Sequence, residues 1–202
     1  MLTLFHAPQS RSSRLVWLVE ELGADCMIEY VAIRRMDGSG AADPKNPHPD
    51  GKAPALLHDG ALITESAAVA LYLTGLHPEA GLGFPPASLQ RGALLTWLFW
   101  AAGEFEPALW SQFSGETATS PYAKARYDAA VDRLLEALWN GPYLMGEQFT
   151  VADVMIGSTI GWARGHLPDS PLLDAYLARL AERPAHQRAM ARDGEVIVTA
   201  AA

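Results

Sequence analysis

The chain has 202 residues, enough for one large domain or two small ones with a core that needs no staples. Half of the residues are apolar and 19% are charged, with a formal net charge of −8. That sign argues against a nucleic-acid binder and against docking on anionic lipid, yet leaves room for a small anionic ligand held by a local field.

Thr3-Leu4-Phe5 reads as a short strand, broken by Pro8-Gln9-Ser10. Leu15, Leu18, Val19 and Leu22 then recur at helical spacing, and Gly23 follows as a C-cap. Met27 to Ile33 is rich in β-branched and aromatic residues and predicts a second strand. Residues 34–52 read as a loop. Ala55 to His58 and Ala61 to Ile63 are apolar runs joined by Asp59-Gly60, the signature of a hairpin with a type I′ turn. Glu65 to Leu76 predicts a helix with Val69, Tyr72, Leu73 and Leu76 on one face.

His77 to Pro86, with two glycine and three proline residues, reads as a linker. Beyond it strand signals vanish until a short Val196–Thr199 run. One long helix is expected over 88–113, carrying Trp97, Trp100 and Trp110, and another over 121–139, with Val131, Leu134, Leu135 and Leu138 in phase. Thr150-Val151-Ala152-Asp153 has the spacing of a capping box, with Phe149 and Val154 placed as a hydrophobic staple. Two helices near 172–182 and 184–192 should follow, split by Pro184.

Cys26 is the single cysteine, so no intrachain disulfide and no cysteine zinc cluster can form, and a reducing cytosol suits the chain. Met1 to Arg14 lacks the regions of a signal peptide. The longest apolar stretch, Ala93 to Ala102, falls far short of the ~20 residues that span a bilayer. A soluble, cytoplasmic protein with no membrane partner is expected. His6, His48, His58, His77, His166 and His186 show no paired ligand spacing, so they read as structural or surface residues and no metal is expected.

The β-α-β, then β-β-α order, the Ala53-Pro54 turn and the Glu65-Ser66 pair resemble the glutathione-binding domain of cytosolic glutathione transferases. The helical second half, with Phe149-Thr150-Val151-Ala152-Asp153, is similar to the C-terminal domain of that family. The resemblance implies an α/β thioredoxin-like N-terminal domain over 1–76, a linker over 77–87 and an all-α helical C-terminal domain over 88–202 that forms an electrophile pocket. It also implies glutathione as co-substrate, a homodimer, and a detoxification-type reaction joining the glutathione sulfur to an apolar electrophile. A glutathione-dependent isomerase, dehalogenase or peroxidase on the same scaffold, or a non-catalytic binding adaptor, is the alternative.

Leu4 to Arg14 is similar to the active-site turn of the serine-using classes, where the catalytic serine lies four residues before an arginine, as Ser10 and Arg14 do. Ser12 is the alternative, and any of Ser10, Ser12 and Ser13 could instead cap the helix that follows. Tyrosine-using classes place Tyr just after the first strand, where this chain has Phe5 and His6. The cysteine-using bacterial class has Cys near position 11, where this chain has Arg11. The resemblance assigns a cis Pro54 that turns Ala53 toward the cysteinyl backbone of glutathione. Glu65 and Ser66 take the γ-glutamyl end, and Lys52 the glycyl carboxylate. Trp100, Glu104, Glu106 and Trp110 are candidates for the wall of the second-substrate pocket, and the two glutamates also for contact with a partner subunit's glutathione.

Overall fold

The protein is described from a computed structural model over residues 1–197. It divides into two compact units, Met1–Ala80 together with the chain from Arg183 onward, and Gly81–Glu182.

The first unit is built on a four-stranded sheet of order β2-β1-β3-β4, with β1 at Leu2–His6, β2 at Cys26–Tyr30, β3 at Ala55–His58 and β4 at Ala61–Thr64. β1 runs parallel to β2 and antiparallel to β3, with Leu4 opposite both Ile28 and Leu56. Four of its five residues are buried, as expected of a central strand covered on both faces. The second strand ends at Tyr30 rather than Ile33. Val31 still donates its N–H to the His6 carbonyl at 2.9 Å, after which the chain leaves the sheet. The β3–β4 hairpin turns on Asp59 and Gly60 with φ of 47° and 89°, the two positive values a type I′ turn requires.

Helix α1, Ser13–Leu22, buries Leu15, Val16, Trp17, Leu18, Val19 and Leu22 and ends on Gly23 in the left-handed region. Helix α2, Ser66–Leu76, buries Val69, Ala70 and Leu73. The last helix, Pro184–Asp193 (α8 in chain order), packs against α1 and so joins the first unit rather than the helical half of the chain. Ion pairs bind it there. Arg183 grips Glu21 through two bonds of 2.6 and 2.7 Å, and Glu20 accepts from Arg188 at 2.8 Å and from Arg192. The His186 ring meets Trp17 edge-on at 4.7 Å. Of the Val196–Thr199 run, residues 196 and 197 form no strand, and Val198 and Thr199 lie outside the described residues.

The second unit is helical. The helix expected over 88–113 is instead α3, Gln90–Trp100, and α4, Glu106–Phe113, joined by a π turn over Ala101–Phe105. Pro107 gives the reason. It has no N–H for the i−4 bond, and the ladder widens just ahead of it, with Glu106 N–H reaching back five residues to the Ala101 carbonyl. Helix α5 spans Pro121–Trp139, α6 Val151–Trp162 and α7 Pro171–Ala181. Almost all of α6 is buried, and its Gly157 lets α7 close in, since a Cβ there would meet Leu180 at 2.3 Å.

The capping box at the start of α6 is also a junction. Asp153 is fully buried and accepts from Leu144 N–H at 2.9 Å, Thr150 N–H at 2.8 Å and the Tyr176 hydroxyl at 3.0 Å. Burial pushes its carboxyl up, and these donors oppose that. Asp153→Ala strands three buried donors, each worth about 1–3 kcal/mol. It should lower the urea-unfolding free energy by about 3 kcal/mol or more, with Asp153→Asn losing less.

Glu20 carries a second expectation. The Arg188 hydrogen bond holds its carboxyl below the ordinary value of 4.5, against partial burial and with help from Arg192. A depressed carboxyl contributes stability that is complete above its unfolded value and fades as pH falls through the folded one. Amide exchange in an acid series should therefore show α8 losing protection before β1 does.

Candidate active site

β1 delivers the chain into a sharp turn, His6 to Ser12, that feeds α1. The turn is tied by one buried hydroxyl. Ser12 Oγ lies 2.8 Å from His6 Nδ1, accepts from Ala7 N–H at 3.0 Å, sits 3.1 Å from the Ala7 carbonyl and 2.8 Å from Ser10 Oγ. Ser12 and His6 have no exposed surface. Ser12 stands at the N-cap of α1 but makes no side-chain cap bond, because its hydroxyl points back into the turn. The capping role open to the three serines is therefore not the one Ser12 performs. Ser13 is half-buried and its Oγ accepts from Ser10 N–H at 3.3 Å. Ser10 is also half-buried, and its Oγ accepts from Ser12 N–H at 3.1 Å.

The turn is braced from outside. Arg35 donates to the Pro8 and Gln9 carbonyls at 2.6 and 3.2 Å. From the end of α8, Asp193 accepts from Gln9 N–H at 3.0 Å and lies 3.3 Å from His6 Nε2. Burial alone would raise the Asp193 carboxyl, but hydrogen bonds from His6, Ser13 and Gln9 outweigh it and leave the group below its ordinary range.

Beside Ser10, a cavity of about 190 Å³ is lined by Arg11, His48, Lys52, Ala53, Pro54, Glu65 and Ser66. Every residue the sequence assigned to the peptide meets there. The Ala53–Pro54 bond is cis, just ahead of β3. Lys52 is exposed and paired only loosely, at 3.2 Å, with Asp50. Glu65 is exposed at the N-cap of α2 with φ 68°, and Ser66 opens that helix. Its first-turn N–H groups and dipole favour an anion.

Two lining residues escaped the sequence. Arg11 is the neighbour of Ser10 and adds a second cation. His48 is buried and its Nδ1 accepts from Asp50 N–H at 3.1 Å, which leaves the ring proton on Nε2 as a donor. No motif marks His48, since its place depends on how the 34–52 loop folds. Asn46 shapes that loop, its side chain accepting from His48 N–H at 3.1 Å and donating to the Lys52 carbonyl at 2.9 Å.

In the helical unit, the four pocket candidates part company. Trp100 and Glu104 line a cavity of about 270 Å³ with Arg126, Ala129, Ala130 and Arg133. There Glu104 pairs with Arg126 at 2.7 Å, and Arg133 lies over Trp97 and Trp100 at 4.7 and 4.6 Å. Glu106 instead accepts from the Thr159 hydroxyl at 3.1 Å. Trp110 is half-exposed and stacks on Phe113, which also meets Trp162 at 6.2 Å.

The family description "Glutathione S-transferase, N-terminal domain" matches residues 1–75, and "Glutathione S-transferase, C-terminal domain" matches 88–182. The chain belongs to the glutathione S-transferase family. It is 28% identical over 197 residues to glutathione S-transferase GstA of Escherichia coli O157:H7, covering 95% of this chain and 98% of that one. It is also 28% identical to the disulfide-bond oxidoreductase YfcG of Escherichia coli K12, covering 94% of each. Among solved structures, a glutathione transferase from Methylococcus capsulatus superposes with a TM-score of 0.80 at 31% identity, covering 96% of this chain and 98% of that one. A sphingomonad glutathione S-transferase complexed with glutathione does so with 0.76 at 31%, covering 95% and 98%. Among the described residues, no helix is long and apolar enough to cross a membrane.

The turn itself can be tested without substrate. Ser12→Ala removes the partner of a buried N–H and a buried imidazole, and should cost about 2–4 kcal/mol in urea unfolding. Ser10→Ala, at a half-buried position, should cost under about 1 kcal/mol.

Proposed function

We propose that this transferase joins the glutathione thiolate to apolar electrophiles, with Ser10 donating to the sulfur. The observation that carries the reading is the convergence of Arg11, His48, Lys52, Ala53, Glu65 and Ser66 on one cavity beside the Ser10 turn. Glutathione offers two carboxylates, one ammonium and a peptide backbone, and the lining answers each. The α-carboxylate goes to Ser66 and the first turn of α2, and the α-amino group to Glu65. The cysteinyl backbone goes to Ala53, and the glycyl carboxylate to Lys52 with His48 or Arg11 beside it. Lys52 gives up little in leaving Asp50, because an exposed ion pair contributes about 0–1 kcal/mol.

A free thiol titrates near ~8.5, so a two-unit shift toward thiolate needs about 2.7 kcal/mol. A hydroxyl bond to the anion supplies about 1.5–3 kcal/mol and the α1 dipole about 0.3–1 kcal/mol. Together these come to about 1.8–4 kcal/mol, a range that brackets the need. The electrophile wall we assign to the helical unit. Trp100 and Glu104 are held by arginines and Glu106 by Thr159, so Trp110, with Phe113 and Trp162, offers the open apolar face. A homodimer in the cytoplasm, acting in detoxification, completes the reading. The relative named a disulfide-bond oxidoreductase motivates a second one, in which the same thiolate attacks a disulfide.

A panel of aryl halides, activated alkenes, hydroperoxides and small disulfides separates these reactions. Ser10→Ala should lower kcat 10-fold or more while KM for glutathione changes less. Glu65→Ala should do the reverse, raising KM about 10-fold with kcat nearly kept. Equal losses in both variants, or none, would remove the assignment.

A further inference from the structure

The turn beneath Ser10 holds a continuous chain of four groups from three elements: Ser10 Oγ, Ser12 Oγ at 2.8 Å, His6 Nδ1 at 2.8 Å beyond it, and Asp193 on the far side of the ring. Counting protons along it gives the chain a direction. His6 Nε2 faces only acceptors, the Asp193 carbonyl at 3.0 Å and its carboxylate Oδ1 at 3.3 Å, so Nε2 carries a proton whatever the charge of the ring.

With the ring neutral, Nδ1 presents a lone pair to Ser12 Oγ at 2.8 Å, and the Ser12 hydroxyl turns to it from its other acceptor, the Ala7 carbonyl at 3.1 Å. Ser12 Oγ then accepts from Ala7 N–H and from the Ser10 hydroxyl. The one proton of Ser10 points inward, and its Oγ, already bonded by Ser12 N–H, keeps one lone pair to accept with. In that state Ser10 can accept from a thiol and cannot donate to a thiolate. With the ring charged, Nδ1–H and Ala7 N–H fill both lone pairs of Ser12 Oγ. Ser10 can no longer donate inward, and its proton must point out.

We propose that His6 takes the proton of the glutathione thiol through the hydroxyls of Ser10 and Ser12, with Asp193 holding the imidazolium that forms. The S–H bond breaks as Ser10 Oγ gains that proton, Ser10 passes its own to Ser12, and Ser12 passes its own to Nδ1. No electrons change hands, no free alkoxide is made, and a neutral thiol and neutral imidazole become a thiolate and an imidazolium. The transfer leaves Ser10 donating to the sulfur it has just deprotonated. After the product departs, the proton returns by the same hydroxyls to water. This rests on the assignment of Ser10 to the sulfur.

The surroundings suit the charge. Asp193 Oδ1 is buried and faces Nε2 at 3.3 Å. Tyr30 on β2 presents its ring edge-on at 5.5 Å and spends its hydroxyl on the Arg192 carbonyl. Arg35 is turned to the Pro8 and Gln9 carbonyls, and Arg192 and Arg188 to Glu20. Asp193 is thus the one carboxylate seen against the ring among the described contacts. His6 and Asp193 are positioning and proton-holding residues, and of the four groups in the chain only Ser10 meets the substrate.

The test follows His6 by nitrogen-15 NMR of histidine-labelled full-length protein at neutral pH, alongside the ultraviolet thiolate band. Saturating glutathione should bring up the band and convert His6 from the neutral Nε2–H form to imidazolium. S-methylglutathione, which has no thiol proton, should leave it neutral. Asp193→Asn should lower the thiolate fraction at neutral pH about 10-fold, with recovery at higher pH. A thiolate band with His6 still neutral, a charged His6 with the methylated peptide, or an unshifted thiolate midpoint in Asp193→Asn each overturns the wire alone. Bound glutathione with no thiolate band in the wild type overturns the assignment of Ser10 as well.

Discussion

A single buried hydroxyl, that of Ser12, fixes the geometry on which this site depends. It ties the end of β1 to the start of α1 and touches the one histidine that α8 also grips. A turn of this kind has few backbone bonds of its own, so a side chain must stand in for the missing ladder. At Ser12 and His6, which have no exposed surface, such bonds are costly to lose, because an unpaired buried polar group keeps its full desolvation penalty. Ser12 thereby positions Ser10, whose hydroxyl accepts from Ser12 N–H and meets Ser12 Oγ, immediately before the cavity-lining Arg11.

The docking of α8 follows from the same constraint. A helix at the end of the chain would ordinarily fray, yet this one is joined to α1 by Arg183, Arg188 and Arg192 on Glu20 and Glu21. Most of these pairs are surface pairs of small individual value. Their joint effect is positional, since they set Asp193 against His6 and Gln9. A protein with a net charge of −8 thus commits three arginines to this clamp, while Arg11 and Lys52 stand at its cavity. The cations beside the cavity run against the global sign, which suits the anionic peptide we propose.

Much of this was legible in the sequence wherever a signal is local. The Asp59-Gly60 turn, the Thr150–Asp153 box and the Pro184 break each depend on neighbours in the chain, and each appears where its residues predict. The cavity-lining residues Lys52, Ala53, Glu65 and Ser66 were reached only through family resemblance, since they have no spacing that marks them out. What stayed hidden is tertiary. His48 enters the cavity through the fold of a long loop, and His6 and Asp193, 187 residues apart, meet only once α8 has docked. The break in the 88–113 helix was written in Pro107, but a proline near a helix middle does not say whether the helix will kink, stop or widen into a π turn.

Backbone strain gives an independent view of the same site. Among the described residues, Gln9, Asp59 and Glu65 are the non-glycine positions with positive φ, at 54°, 47° and 68°. Asp59 is explained by its hairpin. The other two stand immediately before Ser10 and Ser66, the residues given to the two ends of the cysteinyl-glutamyl portion of the ligand. Such conformations cost of order 1–3 kcal/mol each and persist only where surrounding bonds over-determine them. At Gln9 those bonds are visible, with the N–H on Asp193 and the carbonyl on Arg35. At Glu65 the carbonyl is fixed by Val69 N–H at 2.9 Å, and the side chain is left exposed at the cavity edge. A glycine at either position would relieve the strain, and at Glu65 it would also remove the carboxylate. At the N-terminus of α2 the dipole itself favours a carboxylate, and the same exposed group is the one we propose for the ammonium of the ligand.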